Sequence, residues 1–109
     1  MTVEINDLSD LPGFELVSRG LADLAARHES VEAALVSIGA TRLSRLGLTV
    51  PQPLYEPEER LYQLLEAIYP PDAVHGRYNA LVRRLVSFER TLAGIQSSRY
   101  PSGLWSSGR

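Results

Sequence analysis

Apolar residues recur at helical spacing in the first half of the chain. From Phe14 the steps alternate between three and four residues, with one polar interruption at His28, which we predict to set the register of packing. We therefore predict one long helix over residues 10–46, capped by Asp10 and ended by Gly47. A hairpin that turns at 27–30, with Ser30 capping a second helix, is the alternative. The predicted seam of this segment comprises Phe14, Val17, Leu21, Leu24, His28, Val31, Leu35 and Ile38.

A second, shorter helical stretch follows a proline-bearing linker. The two prolines in residues 48–55 hold the linker extended, and its apolar residues predict that it lies across the core. Glu56-Pro57-Glu58-Glu59 is typical of a helix start, because acidic side chains stabilise the first turn. Pro70 and Pro71 end this helix. Its predicted buried residues are Leu61, Leu64, Leu65 and Ile68.

The last helix has the most regular pattern. Its apolar positions alternate steps of four and three without exception, and we predict that Asp72 caps its first turn. Such spacing favours helices that pack at shallow angles. The seam consists of Val74, Tyr78, Leu81, Leu85, Phe88, Leu92 and Ile95.

These stretches predict an all-α fold, an elongated helical bundle with a long N-terminal helix (or helix hairpin) and a long heptad-patterned C-terminal helix. We expect a single helical domain over residues 1–96, with Val3 and Ile5 in an irregular arm. A flexible C-terminal tail is expected over 97–109. The sequence does not decide whether the part of this tail around Trp105 is ordered, and residues 106–109 resemble an added linker.

A long N-terminal helix has a consequence for assembly. Residues 10–46 in one helix would span about 55 Å, which is longer than a compact domain of this size. The apolar stripe would then need cover from a second chain. We therefore expect a homodimer in which the seam residues of both long helices carry the fold and the self-association.

Composition narrows the class of protein. Hydrophobic residues make up 44% and charged residues 22% of the chain, which is typical of a globular protein. Cysteine is absent, which excludes disulfides and favours a reducing compartment. We expect no membrane segment, no signal peptide and a cytoplasmic location. All eleven basic residues are arginine, which is typical of a GC-rich bacterial gene.

Few residues point to catalysis or to a metal. The chain lacks a nucleophile elbow and a glycine-rich phosphate loop, and two histidines without cysteine are too few for a zinc site. We therefore predict no catalytic residue, no metal and no cofactor. One enzyme hypothesis stays open, because Asp72, His75 and Tyr78 are close enough in sequence to share hydrogen bonds.

Four arginines of the last helix form a candidate anion-binding stripe: Arg77, Arg83, Arg84 and Arg90. Residues 70–109 hold two acids and six arginines, a balance of +4, whereas residues 1–69 hold eleven acids and five arginines, a balance of −6. A nucleic-acid reader would place such a stripe on phosphates. The net charge of −2 and the lack of interleaved aromatic residues count against it.

The alternative is a structural role for these arginines. They would pair with acids of the same protein, such as Glu58 and Glu66, or flank a dimer seam, where Arg84 would face Glu89 of the partner subunit. The sequence favours a non-catalytic helical module for protein–protein interaction or oligomerisation, with a protein partner or a second copy. A nucleic-acid-associated regulator and a small helical enzyme around His75 are the two alternatives.

Overall fold

The computed structural model describes residues 8–99, and side chains as far as residue 96. This part of the chain holds five helices and no strand, so the all-α prediction is confirmed. The predicted arm with Val3 and Ile5 and the segment around Trp105 lie outside the described residues. The helices are α1 (Phe14–Ala25), α2 (Val31–Ile38), α3 (Ala40–Arg45), α4 (Pro57–Glu66) and α5 (Pro71–Arg99).

The prediction of one long helix over residues 10–46 is wrong, and the structure has the hairpin alternative instead. Helix α1 ends at Ala25 and α2 begins at Val31. Between them Arg27 adopts a left-handed conformation with a φ of 59°. The amide of His28 bonds the carbonyl of Asp23 at 2.7 Å, and the Arg27 amide bonds that of Leu24 at 3.0 Å. These two hydrogen bonds form a motif that commonly ends a helix, and Arg27 occupies the left-handed position where glycine is common.

Ser30 caps the N-terminus of α2. Its hydroxyl accepts a hydrogen bond from the amide of Ala33 at 3.0 Å and donates one to the carboxylate of Asp23 at 2.6 Å. The first bond satisfies a free amide of α2, and the second joins the cap to the last turns of α1. The turn is therefore built from polar side chains, with neither glycine nor proline.

The start of α1 also differs from the prediction. Asp10 is exposed in a turn and does not cap the helix. The residue before α1 is Gly13, with a φ of 79° and no side-chain cap. A Cβ at Gly13 would lie 2.8 Å from the Arg84 carbonyl oxygen, so a glycine here lets the chain pass close to α5.

Helices α1 and α2 form a closely packed pair. Gly20 is buried at their crossing, where a Cβ would lie 2.7 Å from Val36. Val17, Leu24 and Leu35 are fully or almost fully buried in the same hairpin. The seam that predicted a dimer is thus largely covered within one chain, whereas His28 is exposed in the turn and sets no packing register.

The linker lies across the core, as the sequence predicts. Gly39 separates α2 from α3, and Gly47, with a φ of 93°, follows the end of α3. Leu48 is buried. The buried hydroxyl of Ser37 accepts a hydrogen bond from the amide of Leu54 at 2.9 Å, which holds the linker on α2.

The two remaining helices begin at prolines. Pro57 occupies the first turn of α4, followed by Glu58 and Glu59 as predicted. Helix α5 begins at Pro71, so Asp72 lies inside its first turn and is not the residue before it. The helix continues to Arg99, three residues into the predicted tail.

The core surrounds α2, which contacts α1, α4 and α5 and whose residues 33–36 are fully buried. Three residues of the α5 seam, Leu85, Phe88 and Leu92, are at most 1% exposed, and Leu61 and Leu65 of α4 are equally buried. Tyr78 and Leu81 are half-buried against this core. No helix in the described part of the chain is long and apolar enough to cross a bilayer.

Candidate functional site

A groove of about 490 Å³ opens where α4 and α5 approach the start of α2. Its apolar floor combines residues of all three helices, and its rim carries two arginines and one glutamate. The lining residues are Val31, Glu32, Leu65, Ile68, Tyr69, Arg77, Ala80, Leu81 and Arg84.

Ile68 is the most unusual side chain of this groove. The sequence predicts that Ile68 is buried, but it is 61% exposed, because α4 ends at Glu66 and the chain turns before α5. Leu65, one helical turn earlier, is 1% exposed and closes the core beneath it. Ile68 therefore leaves a large apolar side chain exposed beside a concave surface.

Arg77 lies on one rim of the groove. Its guanidinium carbon stands 4.8 Å from the centre of the Tyr69 ring, a cation–π contact. Among the described residues no carboxylate pairs with Arg77. This contact holds the guanidinium beside Tyr69, and the N–H groups of a guanidinium can bind a planar acceptor such as a carboxylate.

Arg84 lies two turns further along the same side of α5. Its nearest acidic oxygen is in Glu15, at 3.7 Å, and the two side chains are 54% and 82% exposed. An ion pair this long and this exposed contributes little, because water and salt screen it. The guanidinium of Arg84 is therefore readily available to a ligand.

The predicted arginine stripe is divided between two sides of α5. Arg77 and Arg84 line the groove, whereas Arg83 and Arg90 are exposed and do not line it. At about 100° of rotation per residue, Arg83 points well away from Arg84 despite being its neighbour in sequence. Only two of the four arginines therefore belong to the groove.

The expectation that these arginines pair with acids of the same protein holds for Arg84, whose partner is Glu15. In the described part of the chain no ion pair joins an arginine of α5 to Glu58 or Glu66. Glu89 cannot face Arg84 of a partner subunit, because Glu89 is 7% exposed and bonds Arg42 of its own chain.

The contact between Arg42 and Glu89 joins α3 to α5. The Nε of Arg42 donates to Glu89 Oε1 at 2.7 Å, and this hydrogen bond raises the pKa of Arg42. The other carboxylate oxygen, Oε2, is buried without a hydrogen-bond partner next to Gly39. This pair closes the core at its edge and does not line the groove.

A second concave surface lies on the other side of α4. It is lined by three glutamates together with His75, Tyr62 and Tyr78, whose two rings are 5.6 Å apart. The ring nitrogen Nε2 of His75 lies 3.1 Å from the amide nitrogen of Asn79. Burial, and then the charge of Glu58, raise the pKa of Tyr78.

The proposed enzyme cluster is not assembled in this arrangement. No hydrogen bond joins His75 to Asp72 or to Tyr78 among the residues that the structure describes. Nor does any group of three potential metal-binding side chains occur within this part of the chain. The His75 side chain is exposed and bonds a residue of its own helix, which gives it no second catalytic group.

Comparison of the chain with protein-family models, with curated proteins and with solved structures found no match in any of the three.

Sequence patterns identified only part of the groove. The arginine stripe of the last helix contains Arg77 and Arg84, but Tyr69 and Glu32 carried no signal as site residues. The helical position of Ile68 pointed to the core. Ile68 lies two residues before Pro70, which ends the helix, and this position was the one available sign that its side chain lies outside the helix packing.

Proposed function

We propose that this chain is a non-catalytic helical module that binds another protein, and that the groove between α2, α4 and α5 is its docking surface. The observation that carries the proposal is the exposure of Ile68, 61%, on a groove with an apolar floor. Apolar anchor residues surrounded by polar groups are the usual basis of helix-in-groove recognition. Arg77 and Arg84 supply the polar rim, and arginine is a frequent contributor at protein interfaces.

Two features favour this function over its alternatives. The arginines expected to contact phosphates lie on different sides of α5, and Glu32 faces the groove, where it would repel a nucleic acid. An enzyme around His75 would need a second group on the imidazole, and His75 bonds only Asn79 in the described structure.

The homodimer remains a prediction, but the surface that would form it is a different one. The hairpin of α1 and α2 covers the seam that would have needed a partner, so Val17, Leu24 and Leu35 are not available to a second copy. A second copy would instead have to use the groove. We therefore treat self-association as one outcome of the binding experiment.

The experiment is a selection of helical peptides displayed on phage against the full chain. The selected peptides are then measured against Ile68→Glu, and against Tyr55→Glu as the matched control. Tyr55 is 84% exposed and does not line the groove, so both variants place a charge at an exposed large hydrophobic residue. We expect peptides that lose at least about tenfold in affinity on Ile68→Glu and keep it on Tyr55→Glu.

Two results would contradict the proposal. One is a set of ligands that bind Ile68→Glu as well as the unchanged chain, and the other is the absence of any selected ligand. Light scattering across a range of concentrations accompanies the selection. A dimer that dissociates on Ile68→Glu but not on Tyr55→Glu identifies a second copy as the occupant.

A further inference from the structure

The charges on the groove rim specify the partner more closely. We infer that the groove binds an amphipathic helix that carries two carboxylates seven residues apart on the edge facing α5, with an apolar residue between them. This inference rests on the proposed function, since it names the chemistry of the partner at the same surface.

The two cations define the acidic edge. Arg77 and Arg84 both line the groove; Arg77 has no carboxylate partner in the described part of the chain, and Arg84 has the long, exposed ion pair with Glu15 at 3.7 Å. A carboxylate accepts two parallel hydrogen bonds from a guanidinium, which makes it a better match than a hydroxyl or an amide. Because the two guanidinium groups repel positive charge, a partner helix with basic residues on the edge facing α5 is excluded.

The spacing of the arginines sets the spacing of the carboxylates. Residues seven apart on a helix lie on nearly the same side, separated by about 10.5 Å along the axis. A partner helix aligned with α5 places its residues i and i+7 at the same separation. Between the arginines α5 presents Ala80 and Leu81 to the groove, so an apolar residue at i+3 or i+4 of the partner fits there.

Glu32 determines which charge the partner helix can carry on its opposite edge. It lies on the α2 wall of the groove, across from the arginines of α5, and no ion pair involving it occurs among the described residues. A second row of acids on the partner would face this carboxylate and be repelled. The partner is therefore acidic on one edge only, with a neutral or basic residue toward Glu32.

The test uses three synthetic helical peptides that are identical except at positions i and i+7. These positions carry glutamate, glutamine or lysine, with leucine between them in every case. Affinity for the full chain is measured by fluorescence anisotropy at low and high salt, and the binding position by NMR shifts of the Ile68 methyl groups. We expect the glutamate peptide to bind about tenfold more tightly than the glutamine peptide, and added salt to reduce this difference.

A charge reversal makes the test specific to the rim. In the double variant Arg77→Glu/Arg84→Glu we expect the lysine peptide to bind more tightly than the glutamate peptide. The matched control is Arg83→Glu/Arg90→Glu, which changes the charge of α5 equally on residues that do not line the groove. It should keep the original preference. All four arginines are exposed, although the rim variant also removes the contact of Arg77 with Tyr69 and the ion pair of Arg84 with Glu15.

The outcomes separate this inference from the proposed function. Equal binding of the glutamate and glutamine peptides, with shifts at Ile68, overturns the acidic edge but leaves a docking groove. An equal loss in the control double variant assigns the effect to overall charge and overturns the inference as well. If none of the three peptides binds, the inference is overturned, while the phage selection decides the proposed function independently.

Discussion

The two halves of α5 use the same heptad pattern for different purposes. In the half that follows Arg84, Leu85, Phe88 and Leu92 are at most 1% exposed and pack into the core. In the half that precedes it, Val74 near the start of the helix is 1% exposed, but Tyr78 and Leu81 are only half-buried, and the helix borders both concave surfaces. The difference shows that a regular apolar stripe indicates which side of a helix faces inward, but not how completely the neighbouring helices cover it.

The covering elements explain the difference. The C-terminal half meets α1, α2 and α3 and is held at its edge by Arg42 and Glu89. The N-terminal half contacts α4, where the rings of Tyr62 and Tyr78 lie 5.6 Å apart, and α4 has only ten residues and ends before Ile68. We expect stability to depend mainly on the first half and binding on the second, and the following substitutions test this division.

Phe88→Ala should have the largest effect on stability. Phe88 is fully buried, and its removal loses apolar burial and leaves a cavity, a cost of about 3–5 kcal/mol. Leu81→Ala, in the other half of α5, should cost only about 1 kcal/mol, because its side chain is already partly in water. Urea unfolding measures both. Equal losses would show that the two halves are packed equally well.

Gly39→Ala should destabilise the closed half by about 1–3 kcal/mol. A Cβ at Gly39 would lie 2.5 Å from Glu89 Oε2 and 3.1 Å from Leu85 Cδ2, so the buried carboxylate must move. Gly76→Ala is the matched control in the open half, where a Cβ would meet nothing within 4 Å. It should stabilise α5 by about 0.5–1 kcal/mol, since alanine favours the helix. Thermal unfolding measures both changes in stability. A loss for Gly39→Ala and a gain for Gly76→Ala would confirm that the two halves differ in packing.

Arg42→Gln should cost about 1 kcal/mol, because it removes the hydrogen bond to a buried carboxylate while the arginine itself is half exposed. Adding Glu89→Gln removes the unpaired charge, so the double variant should lose less than the sum of the two single variants. A double-mutant cycle from urea unfolding measures this coupling. Additive losses would show that the pair does not act as a unit.

The smallest effect concerns pH and Tyr78. Burial and the Glu58 carboxylate raise its pKa above the ordinary value of 10.0, so the folded chain keeps this proton at higher pH than the unfolded chain. The resulting contribution to stability is present below pH 10 and is lost as the pH rises through the folded pKa. Tyr78→Phe should make the alkaline loss of stability less steep, whereas Tyr55→Phe, at a residue 84% exposed, should not. Unfolding curves across alkaline pH test this, and identical slopes would contradict it.

Sequence alone determined the fold class and the inward side of each helix. Periodic apolar residues, the prolines that begin α4 and α5, and Gly47 depend on local geometry, which a pattern records directly. The stop after α1 was missed because Arg27 takes the left-handed conformation common for glycine. Hydrogen bonds around Asp23 and Ser30 hold Arg27 in this conformation, and the residue types alone do not predict those bonds.

Only the tertiary structure decided which surfaces remain open. The exposure of Ile68, the separation of Arg83 from Arg84, and the pairing of Glu89 with Arg42 depend on where helices distant in sequence come together. A heptad position records that a side chain faces inward, whereas burial requires a neighbouring element to cover it. Helix α4 ends at Glu66, and Tyr78 and Leu81 of α5 remain half-buried beside the two concave surfaces.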